Sequence, residues 1–110
     1  MKKNLAIGLV ENDLEFRSTT EARLRSIPSV GKVYGWGSAE EYQREKNRPI
    51  LDLIFLDIIL PYKNGVDLAG EIYKETPETS IIMLTNMNSD ALIFESIKKG
   101  ALGYILKSDL

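Results

Sequence analysis

Asp57 stands at the end of a short apolar run, residues 53–56, and within eight residues it is followed by Pro61 and Asn64-Gly65. A run of that length bounded by polar residues fits a strand buried on both faces, and Pro and Asn-Gly are turn signals. The carboxylate therefore sits where a buried strand meets a loop. Three other apolar runs end in the same manner. Residues 5–10 lead into Glu11-Asn12-Asp13, residues 81–84 into Thr85, and residues 102–106 into Lys107. Two or three carboxylates beside a hydroxyl and an ammonium group make a site for a hard divalent cation and a phosphate, and oxygen ligands suit Mg2+. A carboxylate next to such a cation is a nucleophile toward phosphorus, giving an aspartyl phosphate. Thr85 and Lys107 are placed to hydrogen-bond or ion-pair with the phosphoryl oxygens.

Composition narrows the chemistry further. The 110 residues include no cysteine and no histidine, which excludes disulfides, Cys/His zinc sites, thiol nucleophiles and imidazole bases. A formal charge of −2 gives no electrostatic reason for this domain to bind nucleic acid directly. The 44% hydrophobic and 27% charged fractions are those of an ordinary globular domain, and the length suits a single one. No apolar run is long enough to span a membrane, and the stretch after Met-Lys-Lys-Asn is too short for a signal peptide. The expected location is the cytoplasm.

The elements that position these groups alternate. A first strand over residues 5–10 is followed by a helix with Phe16, Thr20, Leu24 and Ile27 at helical spacing, capped by Asn12 or Asp13 and ended by Pro28. A second strand covers 33–36, and Ser38-Ala-Glu-Glu41 has capping-box spacing for a short polar helix reaching about Lys46. After the third strand and its Asn-Gly, a helix with Val66, Ala69, Ile72 and Tyr73 on one face stops before Pro77. A fourth strand over 81–84 precedes a helix capped by Asn88 or Ser89, with Ile93, Phe94 and Ile97 inward and Lys98-Lys99-Gly100 as its end. The fifth strand covers 102–106. Strict alternation of strand and helix argues for a doubly wound α/β domain with a five-stranded parallel sheet, order 2-1-3-4-5. In such a sheet all four polar ends share the carboxyl edge, where ligands bind. Gly35-Trp36-Gly37 is no dinucleotide fingerprint, because the third Gly and the strand-to-helix context are missing.

The order of motifs resembles a known family. An acidic cluster after the first strand, Asp57-Ile-Ile-Leu-Pro with Gly65, Ile-Ile-Met-Leu-Thr85, and Gly100-Ala-Leu-Gly-Tyr-Ile-Leu-Lys107 together look like the receiver domain of bacterial two-component response regulators, over the whole chain. The resemblance implies the flavodoxin-like receiver fold and a magnesium-dependent transfer of phosphate to Asp57 from a phosphohistidine on a separate sensor histidine kinase. It implies that Glu11, Asp57 and the backbone carbonyl of Ile59 hold the metal, with Asn12 beside them. Thr85 is the implied switch hydroxyl, Tyr104 the aromatic switch residue, and Lys107 the contact to the phosphoryl group. The face made by the fourth helix and fifth strand is the expected output, acting on an output domain or partner protein, with a homodimer compatible with it. Such a domain is not an enzyme in the ordinary sense, since it acts only on its own Asp57.

Two departures from the family pattern stand out. Asn12 occupies a position where the family has a second acid, which favours an alternative: a pseudo-receiver that works as an interaction module without phosphate. The family also carries a fifth helix after the lysine, and this chain stops three residues after Lys107. The expectation is one receiver domain, truncated before its last helix, with apolar surface of the first and fifth strands left to be covered. Ser108 in place of the family's usual Pro resembles the subfamily fused to a helix-turn-helix DNA-binding domain. A third reading, a flavin binder or an Asp-dependent phosphohydrolase of the same fold, fits less well. The hydrolase needs a second acid at position 59, and a flavin phosphate would meet the wrong charge at residues 11–13.

Overall fold

The computed structural model describes residues 4–86 and 89–110. The chain alternates β1 (Leu5–Val10), α1 (Leu14–Arg25), β2 (Val30–Trp36), α2 (Ala39–Arg44), β3 (Leu53–Asp57), α3 (Gly65–Glu75), β4 (Ser80–Thr85), α4 (Asp90–Lys98) and β5 (Gly103–Leu106). A 3-10 turn at Lys107–Asp109 follows. All strand pairs are parallel, and the sheet order is β2-β1-β3-β4-β5 as expected. No helix among the described residues is long and apolar enough to cross a membrane.

Register sorts the side chains onto two unequal faces. Gly8 pairs with Ile54, Val10 with Leu56, Ile54 with Ile81 and Leu56 with Met83; residues paired in a parallel ladder share a face. Val10, Ile54, Leu56, Ile81 and Met83 form one buried cluster with Ala39 and Tyr42 of α2 and Leu68, Ala69 and Ile72 of α3. The opposite face packs on α1, whose Glu21 and Arg17 lie directly over Gly35. There Ile7 and Leu9 are buried, whereas Leu53, Phe55, Ile82 and Ile105 are only half-buried, and α1 has no fully buried residue. The apolar strip left open thus runs along β3, β4 and β5. It does not include β1, because α1 covers that strand.

Local chemistry explains the helix starts. Asp13, Ser38, Asn64 and Ser89 cap α1, α2, α3 and α4, each accepting from the N–H three residues on. This decides between Asn12 and Asp13 in favour of Asp13; Asn88 lies outside the described residues. Gly65 opens α3 because a Cβ there would overlap the Asp57 carbonyl oxygen, so the chain can return tightly against the end of β3.

Some side chains face differently from the periodic reading. Ile27 lies past the end of α1 and is exposed, and Tyr73 points outward while Leu68 is buried. In α4 Phe94 and Ile97 are 65% and 48% exposed, and Ile93 with Ser96 faces the core. Burial of Ser96 is tolerable because its hydroxyl donates to the Leu92 carbonyl at 2.8 Å, which satisfies the polar group within its own helix.

Candidate phosphoacceptor site

The carboxyl edge of the sheet gathers three charged side chains into contact. Glu11 follows the last residue of β1, Asp57 ends β3, and Lys107 follows β5. The Lys107 ammonium lies 2.6 Å from Glu11 Oε1 and 2.8 Å from Asp57 Oδ2. Glu11 is 1% exposed and Asp57 5%, so this is a buried triad of two acids on one cation. The second oxygen of each acid is held by main chain: Asp57 Oδ1 accepts from Ile59 N–H at 3.1 Å, and Glu11 Oε2 from Asp13 N–H at 2.9 Å.

Burial sets the electrostatics. Loss of water pushes the Asp57 carboxyl up to about 6, and the Glu11 charge adds to the rise; the Lys107 hydrogen bond and the Ile59 N–H oppose it. Burial alone would lower Lys107. The hydrogen bonds and charges of Asp57 and Glu11 outweigh it, so the ammonium is held above its usual value. At neutral pH Asp57 is therefore largely a carboxylate, close enough to its transition to respond to its neighbours.

The remaining residues named from sequence are placed as follows. Thr85 ends β4 and is 1% exposed; its strand neighbour Leu84 pairs with Asp57, which puts the hydroxyl residue at the same edge. Tyr104, on β5, is 43% exposed and shares a face with Thr85, since Tyr104 pairs with Met83 and Leu106 with Thr85. It is an outward-facing aromatic, not a core one. Ile59 is 56% exposed at the mouth. Asn12 is exposed, and Asp13 is engaged as the α1 cap, accepting from Phe16 N–H at 3.1 Å. An open cavity of about 310 Å³ lined by Asp13, Phe16, Asn86, Lys107 and Ser108 gives access to the ammonium.

Two residues were not singled out for this edge by the sequence. The Phe16 ring centroid lies 5.0 Å from the Lys107 ammonium, a cation–π distance. Arg17 donates from Nη1 to the Glu11 carbonyl at 2.6 Å. Both belong to the first turns of α1, and helical side chains lean back over the turn toward the N-terminus. That lean was the available signal: residues three and four after a cap at Asp13 reach back to the acidic loop.

A resident cation can be tested against these groups. Glu11 Oε1 is buried, and among the described residues its charged partner is the Lys107 ammonium; Asp57 Oδ2 converges on the same point. This all-oxygen pair fits Mg2+. Among the described residues no group of three His, Cys, Asp or Glu is arranged for a metal; Glu11 and Asp57 are the two acids brought together here.

Comparison with known proteins agrees with the geometry. Residues 7–109 match the model of the response regulator receiver domain. The chain is 28% identical over 112 residues to the two-component response regulator-like PRR73 of Oryza sativa subsp. indica, covering 96% of the chain and 14% of that protein. It is 37% identical over 59 residues to the uncharacterized transcriptional regulatory protein YxjL of Bacillus subtilis, covering 54% of the chain and 27% of that protein. The chain thus spans only a small part of the length of these relatives. Among solved structures, a CheY-like response regulator receiver domain protein from Methanospirillum hungatei superposes with a TM-score of 0.86 at 26% identity, covering 94% of this chain and 82% of that one. With the family match running from the first buried strand through the lysine that joins both carboxylates, this chain belongs to the response regulator receiver domain family.

Proposed function

We propose that this chain is a phosphorylation-activated signalling switch whose phosphoacceptor is Asp57. The observation that carries the reading is the convergence of buried Glu11 and Asp57 on the Lys107 ammonium at the carboxyl edge of the sheet. The donor is a phosphohistidine on a sensor histidine kinase. An Asp57 oxygen attacks phosphorus as the bond from phosphorus to the donor's imidazole nitrogen breaks, leaving an acyl phosphate on the chain. Lys107 leaves its carboxylate contacts to pair with the incoming phosphoryl oxygens, which offer it more negative charge. Thr85 donates its hydroxyl to the same group, and Tyr104 follows on the shared face.

Glu11, Asp57, the Asn12 side-chain carbonyl and the Ile59 backbone carbonyl would hold Mg2+. Bound there, it would supply neutralisation of phosphoryl charge. The chemistry stays on the chain's own Asp57, which separates this switch from an enzyme with turnover on free substrates. Output runs through the face of α4 and β5, where Phe94, Ile97, Leu102 and Tyr104 are exposed. That exposure supports docking of an output domain, DNA-binding in the reading favoured by Ser108, or of a partner protein in the cytoplasm. The domain reading is a single receiver unit within a longer regulator.

Intact-mass measurement after incubation with a small acyl phosphate and magnesium tests the proposal. The wild type should gain one phosphoryl mass and Asp57→Asn none; no gain, or an equal gain in the variant, overturns it. Asn12 favours one competing reading, the phosphate-independent interaction module, which predicts no gain in either protein.

A further inference from the structure

We propose that Arg17 is a positioning residue that locks the Glu11 peptide, and with it the buried Glu11 carboxylate, against the end of β2. The inference rests on the reading of Glu11 as a magnesium ligand.

Glu11 is the first residue beyond β1. Its N–H still follows the sheet, donating to the Trp36 carbonyl at 3.0 Å. Its own carbonyl lies past the ladder and receives Arg17 Nη1 at 2.6 Å. Its carboxylate is fixed by the Asp13 N–H at 2.9 Å. Three elements therefore hold one residue: β2, α1 and the cap between. Of these three bonds only the one from Arg17 comes from a side chain. The Lys107 ammonium, 2.6 Å from Oε1, also holds Glu11 but belongs to the phosphoacceptor site itself. Arg17 can therefore be substituted without rerouting the main chain or removing a site residue.

Arg17 reaches this carbonyl through a channel cut by two glycines. A Cβ at Gly35 would sit 3.3 Å from Arg17 Cδ, and one at Gly37 would sit 3.1 Å from Arg17 Nη1. The Gly35-Trp36-Gly37 sequence thus has a use as the floor on which the guanidinium lies. Glu21 Oε2 stands 3.9 Å from Arg17 Nε, and the Arg17 and Glu21 side chains are 19% and 18% exposed. A half-buried guanidinium held on both sides is not a solvated surface cation, and its bond to a carbonyl is charge-assisted.

Charge and position act in opposite directions here. The guanidinium repels a divalent cation, so its removal would favour metal on charge alone. Position prevails, because Glu21 partly neutralises Arg17, whereas a carboxylate that is 1% exposed cannot recover its aim by swinging through solvent. Loss of such a supporting bond lowers metal affinity by roughly tenfold.

Calorimetric titration with magnesium chloride of the whole chain decides this. Arg17→Ala should bind roughly tenfold more weakly, and Arg17→Lys, which keeps a donor and the charge, should recover most of the loss. Gly37→Ala leaves Arg17 in place but sets a methyl 3.1 Å from Nη1 and 2.5 Å from the flexible end of Glu41. It should weaken binding in the same direction, and should do so equally in a Glu41→Ala background, where only the Arg17 contact remains. Unchanged or tighter binding by Arg17→Ala overturns the inference, as does a Gly37→Ala protein at wild-type affinity should Arg17→Ala fail to fold. A wild type that takes no magnesium overturns this inference and the metal reading together; a wild type that binds and an Arg17→Ala that binds equally overturn this inference alone.

Discussion

Asp52 and Asp57 bracket β3, one just before it and one at its end, and they lead different lives. Asp52 Oδ2 accepts the Ala6 N–H at 2.8 Å. Its own N–H donates to the Ala6 carbonyl at 2.8 Å, and its carbonyl accepts from Ser80 N–H at 3.0 Å. It staples β1, β3 and β4 at the amino edge. Among the described residues, Asp57 has one main-chain donor, Ile59, and otherwise faces Lys107. The polarity of a parallel sheet explains the difference. Strands that all begin at one edge present N–H groups there, which satisfy a carboxylate. At the other edge they present carbonyls, which do not. A carboxylate at the carboxyl edge must draw its partners from loops and side chains, and those partners can be exchanged for a cation or a phosphate.

Swapping the damage between the two aspartates breaks the comparison most directly. Asp57→Asn should lose all phosphoryl incorporation while remaining folded. Asp52→Ala should keep incorporation and lose about 1–3 kcal/mol of stability, the cost of leaving a part-buried N–H unpaired. Intact mass reads the first effect and urea denaturation the second. A folded Asp52→Ala chain that no longer accepts phosphate would show that the amino edge is not merely a staple.

Lys107 is the partner that makes Asp57 different, so its removal comes next in size. Lys107→Ala strips the hydrogen bond and charge that hold the Asp57 carboxyl down, so the carboxyl should rise further above about 6. The phosphotransfer rate from a small acyl phosphate should fall roughly 10²-fold, as when a charge-stabilising donor is deleted from a reacting site. A rate within a factor of about two of wild type would mean the ammonium only fills space between two acids.

The same carboxyl gives the comparison a pH signature. The folded value, about 6, lies above the ordinary 3.8, so the folded state binds the proton more tightly than the unfolded chain. Stability from this group is fully present below pH 3.8, falls as pH rises toward 6, and is flat above it. Urea midpoints of wild type minus those of Asp57→Asn should trace that downward slope. Phosphorylation should run in the opposite sense, falling about tenfold per pH unit below the transition as the nucleophile is protonated. A midpoint difference that rises from pH 4 to 6 would mean that folding holds the Asp57 carboxyl down rather than up, and would overturn the contrast.

How much of this was readable beforehand depends on the range of the interaction. The sheet order and the gathering of Glu11, Asp57, Thr85 and Lys107 at one edge follow from apolar runs ending in polar residues, a short-range signal. Periodicity places Phe94 and Ile97 inward because both are apolar and helically spaced, whereas the buried position belongs to Ser96, which hides its hydroxyl on Leu92. Phe16 and Arg17 reach the site through contacts of longer range. Their partners, Lys107 and the Glu11 peptide, are set by tertiary placement of α1 over β2, and no periodicity encodes that. The expected open surface on the first and fifth strands holds for β5 and fails for β1, its place being taken by β3 and β4, because helix count alone does not say which strands one helix covers.

The smallest expected effect sharpens the comparison at its metal side. Asn12 is exposed and carries no charge, so Glu11 and Asp57 are the acids in contact at the edge. Asp13 is not a substitute while its carboxylate caps α1 through the Phe16 N–H. Asn12→Asp would bring a formal charge near the metal. A unit charge about 4 Å away at an effective dielectric of about 20 is worth roughly 4 kcal/mol before desolvation. Exposure and the cost of drying the ion offset most of it. A net gain of about 1–2 kcal/mol, roughly tenfold in affinity, remains. The added charge also opposes ionisation of Asp57 in the absence of metal, which moves that carboxyl further up. The variant should therefore bind magnesium more tightly by calorimetry while showing a steeper dependence of phosphorylation on magnesium. Unchanged affinity would mean that position 12 faces solvent in the bound state too, and that two acids alone carry the ion.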